Sequence, residues 1–142
     1  MNKNNPMEEE VEKEVIKEII TESYEINEDD VTRIVNKEKE INKKTSKLDL
    51  GKYMRFIKQI KLLLNLLKDY RNKAYTDVPW RSIALLSAAV LYFVNPFDVM
   101  PDIIPLLGFA DDSLLFAAVF KSVQTDLEKY AAWKGVKTEN LF

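Results

Sequence analysis

Apolar residues recur at helical spacing over most of this chain, and nowhere do they alternate as a half-buried strand would. From Glu8 to about Tyr24, Val11, Val15, Ile16, Ile19 and Ile20 form one stripe on an otherwise charged surface, which predicts an amphipathic helix. Asn27 or Glu28 then begins a turn, and Asp29 and Asp30 suit the first turn of a second helix. In that helix Val31, Ile34, Ile41 and Leu48 fit heptad positions, although Glu38 and Thr45 interrupt the series. Barely two heptads is a weak coiled-coil signal, and an ordinary amphipathic helix or a partly disordered arm is the favoured reading.

The run Lys43 to Lys47 and the glycine at position 51 mark a boundary in composition. A long helix is predicted from Lys52 to about Tyr75, with Tyr53, Phe56, Ile57, Ile60, Leu63, Leu64, Leu67 and Tyr70 on one face. Arg55, Lys58, Lys61 and Lys68 fall on the other side of the wheel. Thr76, Asp77 and Pro79 combine a capping oxygen with a first-turn proline, and Trp80 to Val94 follows as an almost wholly apolar helix. A last helix is expected to start at Asp111 or Asp112, with Phe116, Val119, Phe120, Val123, Leu127, Tyr130 and Ala131 as its stripe. Lys134 and Gly135 supply a cation and a glycine where a helix should end.

The expected fold is therefore all-α. Residues 51–142 are read as a small helical domain in which an apolar helical hairpin is closed by a Pro/Asp-rich turn. Residues 1–50 are read as a charged helical extension, dispensable for folding. Charge sharpens this division. Residues 1–50 carry 14 acids and 9 bases, 51–82 carry 2 acids and 8 bases, and 83–142 carry 7 acids and 4 bases, so a net charge of −2 conceals a strongly basic middle.

That basic segment feeds directly into the most apolar one, an order that suits an interfacial anchor on an anionic membrane leaflet. Arg55, Lys58, Lys61 and Lys68 are the candidate surface cations, with Trp80, Tyr92 and Trp133 as candidate interface anchors. The competing reading is a solvated helix face. Ile83 to Val94 is only twelve residues, about 18 Å of helix, against a hydrocarbon core of roughly 30 Å. Leu106 to Phe120 is interrupted by Asp111 and Asp112, which are costly at bilayer depth. A buried core helix is thus the physical alternative to membrane insertion. Nucleic acid is not expected as a partner, because aromatics are not interleaved with the cations and the overall balance is acidic.

The absence of histidine and cysteine removes disulfides, thiolate nucleophiles, the usual zinc sites and imidazole bases. It fits a cytosolic setting, and the polar N-terminus shows no apolar segment of a secretory signal. Ser113 has no histidine to activate it, Lys121 and Ser122 read as a helix-surface pair, and no glycine-rich phosphate loop is present. No catalytic residue and no cofactor are expected.

The densest signal is Asn95-Pro96-Phe97-Asp98-Val99-Met100-Pro101-Asp102-Ile103-Ile104-Pro105-Leu106-Leu107-Gly108-Phe109-Ala110-Asp111-Asp112. Proline fixes φ and removes a donor, so Pro96, Pro101 and Pro105 forbid one continuous helix here. Asp98, Asp102, Asp111 and Asp112 lie among Phe, Val, Met, Ile and Leu, where carboxylates need partners. The first reading is architectural: Asn95, Asp98, Asp102 and the Asp111-Asp112 pair cap helix starts beside prolines. The alternative is a divalent-metal site, as oxygen-only clusters suit Mg²⁺, Mn²⁺ or Ca²⁺.

At these residues, with Tyr92-Phe93-Val94 before them and Thr76-Asp77-Val78-Pro79-Trp80 leading in, the chain resembles the YkvA-like family of bacterial proteins, the domain of unknown function 1232. The positions that carry the resemblance are Asn95, Pro96, Asp98, Pro101, Asp102, Pro105, Gly108, Asp111 and Asp112; the family more usually has serine where Asn95 stands. The match covers roughly residues 65 to 132. It implies a small all-α domain commonly predicted to associate with membranes and supplies no activity. The function expected on both grounds is a non-enzymatic, membrane-associated module on the cytoplasmic side that scaffolds or regulates a partner. That partner would be a lipid surface or membrane protein, with a protein partner possible through the N-terminal helices. The alternative is a soluble metal-binding domain or metal-dependent enzyme built on the four aspartates, cytoplasmic if the apolar hairpin is a soluble core.

Overall fold

The computed structural model describes residues 6–94, 112–139 and 141, and every regular element among them is an α-helix. In chain order these are α1 (Pro6–Ser23), α2 (Glu28–Asn36), α3 (Glu38–Ser46), α4 (Leu50–Arg71), α5 (Trp80–Val94), α6 (Asp112–Ser122) and α7 (Gln124–Lys134). The all-α expectation holds. Asn95, Pro96, Asp98, Pro101, Asp102, Pro105, Gly108 and Asp111 lie outside the described residues.

Local chemistry places most helix ends. Asn27 opens α2 with a capping box: its side chain accepts from the Asp30 N–H at 3.0 Å, and its own N–H donates to the Asp30 carboxylate at 2.9 Å. Asp49 caps α4 by accepting from the Gly51 N–H at 2.9 Å. Gly135 ends α7 at φ 80°, as its position after Lys134 predicts. The matching role after α4 falls to Lys73 at φ 61°, a conformation that costs any residue with a Cβ.

Two helices expected to be continuous are each divided. The second breaks at Lys37 (φ −98°, ψ 13°) into α2 and α3, and the last breaks at Val123 (φ −119°, ψ 24°) into α6 and α7. Neither break contains Gly or Pro, so the sequence carries no breaker signal. The reason lies in packing. α2 contacts both α4 and α5 while α3 turns to α4, burying Ile41 and Thr45 there. α6 packs on α1, α4 and α5, and α7 is drawn over α4 and α5 by side-chain bonds described below.

α5 is the hub, touching α1, α2, α4 and α6. Its residues from Ser82 to Val90 are buried apart from half-buried Leu85. The apolar run that allowed membrane insertion is thus enclosed by other helices of the same chain. Each fully buried Ile, Leu or Phe in it, such as Ile83 and Leu86, contributes about 1.5–3 kcal/mol. At the end of α5, Phe93 meets Phe56 edge-on at 5.1 Å, and Lys44 of α3 lies 4.6 Å over the Phe93 ring while donating to its carbonyl at 2.5 Å. A cation there suits the negative end of the helix.

The change in composition at Gly51 is not a boundary in the core. Val15, Ile19, Val31, Ile34 and Ile41 belong to one cluster with Ile60, Leu63, Leu67, Ile83, Leu86, Phe120 and Leu127. This packing runs against the expectation that residues 1–50 are dispensable for folding.

Candidate functional site

α4 carries the expected surface cations on a helix whose apolar face is already occupied. Phe56, Ile57, Ile60, Leu63, Leu64 and Leu67 are buried as the wheel predicts, and Gln59, Leu62 and Leu66 are buried as well. Apart from Leu50 and Met54, exposed near its start, neighbouring helices enclose the apolar side of its circumference. What remains is a narrow polar edge bearing Arg55, Lys58 and Lys61, all exposed and without an ion-pair partner among the described residues. Lys68 leaves this group, because its ammonium pairs with Glu38 of α3 at 2.8 Å. Of the aromatic anchors read from sequence, Trp133 is 53% exposed and Trp80 36%, but Tyr92 is only 3% exposed and faces the core.

Beyond Gly135 the chain folds back against the same edge. Gln59, a buried amide on α4, donates to the Leu141 carbonyl at 2.6 Å, and the Leu141 side chain joins the core. A groove of about 390 Å³ lies between the helix and this returning tail. Lys58, Lys61, Leu62 and Asn65 line it from α4; Val136, Lys137, Glu139 and Leu141 line it from the tail. Sequence reasoning stopped at the glycine that ends α7 and so missed Lys137. The one available signal was the cation placed between Val136 and the closing Leu141-Phe142 pair.

The tail starts where α7 ends, and α7 is fixed by a polar network at the end of α4. Asp69 accepts from the Tyr130 hydroxyl at 2.5 Å and from the Lys134 ammonium at 3.0 Å. Burial works to raise the Asp69 pKa, but the Tyr130 bond and the Lys134 charge outweigh it and hold the carboxyl below its usual range. Burial, then the bond to Asp69 and its charge, push the Tyr130 phenol well above its ordinary value. The Tyr75 ring lies 5.0 Å from Tyr130 and 4.9 Å from Trp133, which wedges α7 against the loop after α4. Ser82 of α5 donates to Asp126 at 2.6 Å, and Lys129 pairs with Asp77 at 2.7 Å. Asp77, one of the residues expected to start α5, thus pairs with α7.

Of the aspartate motif, Asp112 is the first residue of α6, in keeping with a helix start there. Asp98, Asp102 and Asp111 lie outside the described residues, as does the side chain of Asp112. Among the described residues no three metal-ligating side chains converge. No helix among them is long and apolar enough to cross a membrane; α5 reaches only about 22 Å.

The family comparison falls on the α5–α6 region. The family model described as "Protein of unknown function (DUF1232)" matches residues 82–118. The chain is 35% identical over 78 residues to the Bacillus subtilis (strain 168) protein called "Uncharacterized membrane protein YkvA". That alignment covers 55% of this chain and 74% of the relative. No solved structure matches.

Proposed function

The chain belongs to the YkvA-like DUF1232 family, and from that premise we propose that it is a non-enzymatic module that docks on an anionic membrane surface and holds a partner there. The observation that carries this reading is the open edge of α4, where Arg55, Lys58 and Lys61 stand together without counter-ions from the described residues. The name of the Bacillus relative, a membrane protein, supports it. With most apolar residues of α4 and α5 committed to the core, attachment is chiefly electrostatic, and exposed Leu50 and Met54 lie beside the cations. It therefore favours the anionic cytoplasmic leaflet. Ile20 on α1 and Tyr24 just beyond its end are exposed and offer a face for a protein partner.

Sedimentation with vesicles tests this. The protein pellets with phosphatidylcholine vesicles that contain phosphatidylglycerol, not with phosphatidylcholine alone, and salt releases it. Replacing Arg55, Lys58 and Lys61 by Gln together removes roughly 3 kcal/mol of attraction, at about 1 kcal/mol per cation, and leaves helicity unchanged. Failure of the unaltered protein to pellet with the anionic vesicles at low salt rejects surface attachment.

A further inference from the structure

We infer that the groove between α4 and the C-terminal tail is a binding site for the phosphodiester headgroup of one anionic phospholipid. The inference rests on the surface-attachment reading above and goes beyond it, because it replaces a diffuse charged edge by a single saturable site.

Three features of the groove carry it. First, its charge is one-sided: Lys58 and Lys61 on the helix and Lys137 on the tail face a single acid, Glu139. None of the three ammoniums has an ion-pair partner among the described residues. A phosphodiester carries the complementary charge, with oxygens that several ammoniums can share. Second, the rest of the lining is amphiphilic. Val136, 38% exposed, gives apolar wall backed by the buried Leu62 and Leu141, and the Asn65 amide can donate to an ester or phosphate oxygen. A free inorganic anion has no use for that wall, whereas the glycerol backbone of a lipid does. Third, the groove is built rather than incidental. Its tail-side wall is pinned by a bond from a side chain only 2% exposed, Gln59, to the backbone at Leu141, itself 2% exposed. Its volume, about 390 Å³, is that of a site for a small polar group and not for a whole lipid, so the acyl chains stay in the bilayer. The arrangement also explains why cations come from two distant stretches of chain. An unstructured basic stripe needs only one helix.

The test uses the full chain and a lipid that needs no bilayer: dihexanoyl phosphatidylglycerol below its micelle concentration, titrated by calorimetry and by amide chemical shifts. Inorganic phosphate and dihexanoyl phosphatidylcholine are titrated in parallel. Lys61→Gln and Lys137→Gln are the groove variants, and Lys39→Gln, an exposed lysine of α3 that does not line the groove, is the control. The expected result is saturable binding of the glycerol lipid with shifts at residues 58–65 and 136–141. Each groove variant weakens it about fivefold, the control has no effect, and phosphate and the choline lipid bind far more weakly. If the protein pellets with anionic vesicles but the short-chain lipid does not bind, or Lys137→Gln behaves as Lys39→Gln does, the groove is not the site and surface attachment stands without it. If the short-chain lipid binds but vesicles do not pellet the protein, the site stands and the attachment reading falls. Inorganic phosphate binding as tightly as the lipid overturns a lipid occupant.

Discussion

The Tyr130 hydroxyl donates to the Asp69 carboxylate at 2.5 Å across 61 residues of sequence, joining α7 to the last turn of α4. With Lys134 on the same oxygen, it fixes the helix from which the tail returns to wall the groove. A phenol donating to a charged acceptor contributes about 1.5–3 kcal/mol, more than the half-exposed Lys134 pair. Tyr130→Phe should therefore destabilise by about that much in denaturant melts, and a double-mutant cycle with Asp69→Asn should show the two effects to be non-additive. Additive effects would mean that the bond is not the link between the two helices.

The same pair sets a pH dependence with two limbs. The Asp69 pKa is depressed on folding, so its contribution is present above the unfolded value, about 4, and is lost as pH falls through the lower folded value. The Tyr130 pKa is raised, so its contribution is complete below about 10 and is lost as pH rises beyond it. Melts across pH should show the acid limb shrink in Asp69→Asn and the alkaline limb shrink in Tyr130→Phe. A remnant of the alkaline limb belongs to Tyr75, whose pKa is raised chiefly by burial.

A chain starting at Leu48 should not unfold cooperatively. It lacks Val15, Ile19, Ile26, Val31, Ile34, Val35 and Ile41, each buried in the common core and each contributing about 1.5–3 kcal/mol. Their sum is comparable to the whole stability of a domain, about 5–15 kcal/mol. A sharp thermal transition with native near-ultraviolet ellipticity in this fragment would restore the two-part division read from composition.

Two αL positions should respond in opposite directions. Gly135→Ala meets no atom within 4 Å, so its cost is conformational, about 1–2 kcal/mol. Lys73→Gly relieves the same penalty at φ 61° and should stabilise by up to about 1 kcal/mol after the greater entropy of the unfolded glycine is subtracted. Chemical denaturation of the two variants checks both signs.

For the aspartate motif, capping and metal binding differ in what Asn can replace. If Asp102 caps a helix, Asp102→Asn should be mild and Asp102→Ala should cost about 0.5–2 kcal/mol. Millimolar Mg²⁺ or Mn²⁺ should leave the melting temperature unchanged. A rise of several degrees, abolished in both variants, would make the four aspartates a metal site through binding linkage.

Helix existence was legible from periodicity because burial on one side imposes it: α1, α4 and α5 begin and end within a few residues of the apolar stripes that predict them. End chemistry was legible where it is local, as at Asn27 and Gly135. The divisions at Lys37 and Val123 were not, since nothing in their own residues breaks a helix; the path around α4 and α5 does. The candidate site was half legible. Arg55, Lys58 and Lys61 stood on the predicted polar face, but the wheel also assigned Lys68 to it and could not see Glu38 across from it.

By itself, then, the sequence determined the class of fold, the family and the lack of any thiol or imidazole, because periodicity, a long local motif and composition are properties of the chain alone. Tertiary structure decided which faces remain open. It closed α5 inside the bundle, joined the helices between Val15 and Ile41 to the same core, and brought Lys137 beside Lys58 and Lys61. Burial and long-range bonds such as that of Gln59 to Leu141, 82 residues apart, exist only once the helices have packed. No window of neighbouring residues encodes them.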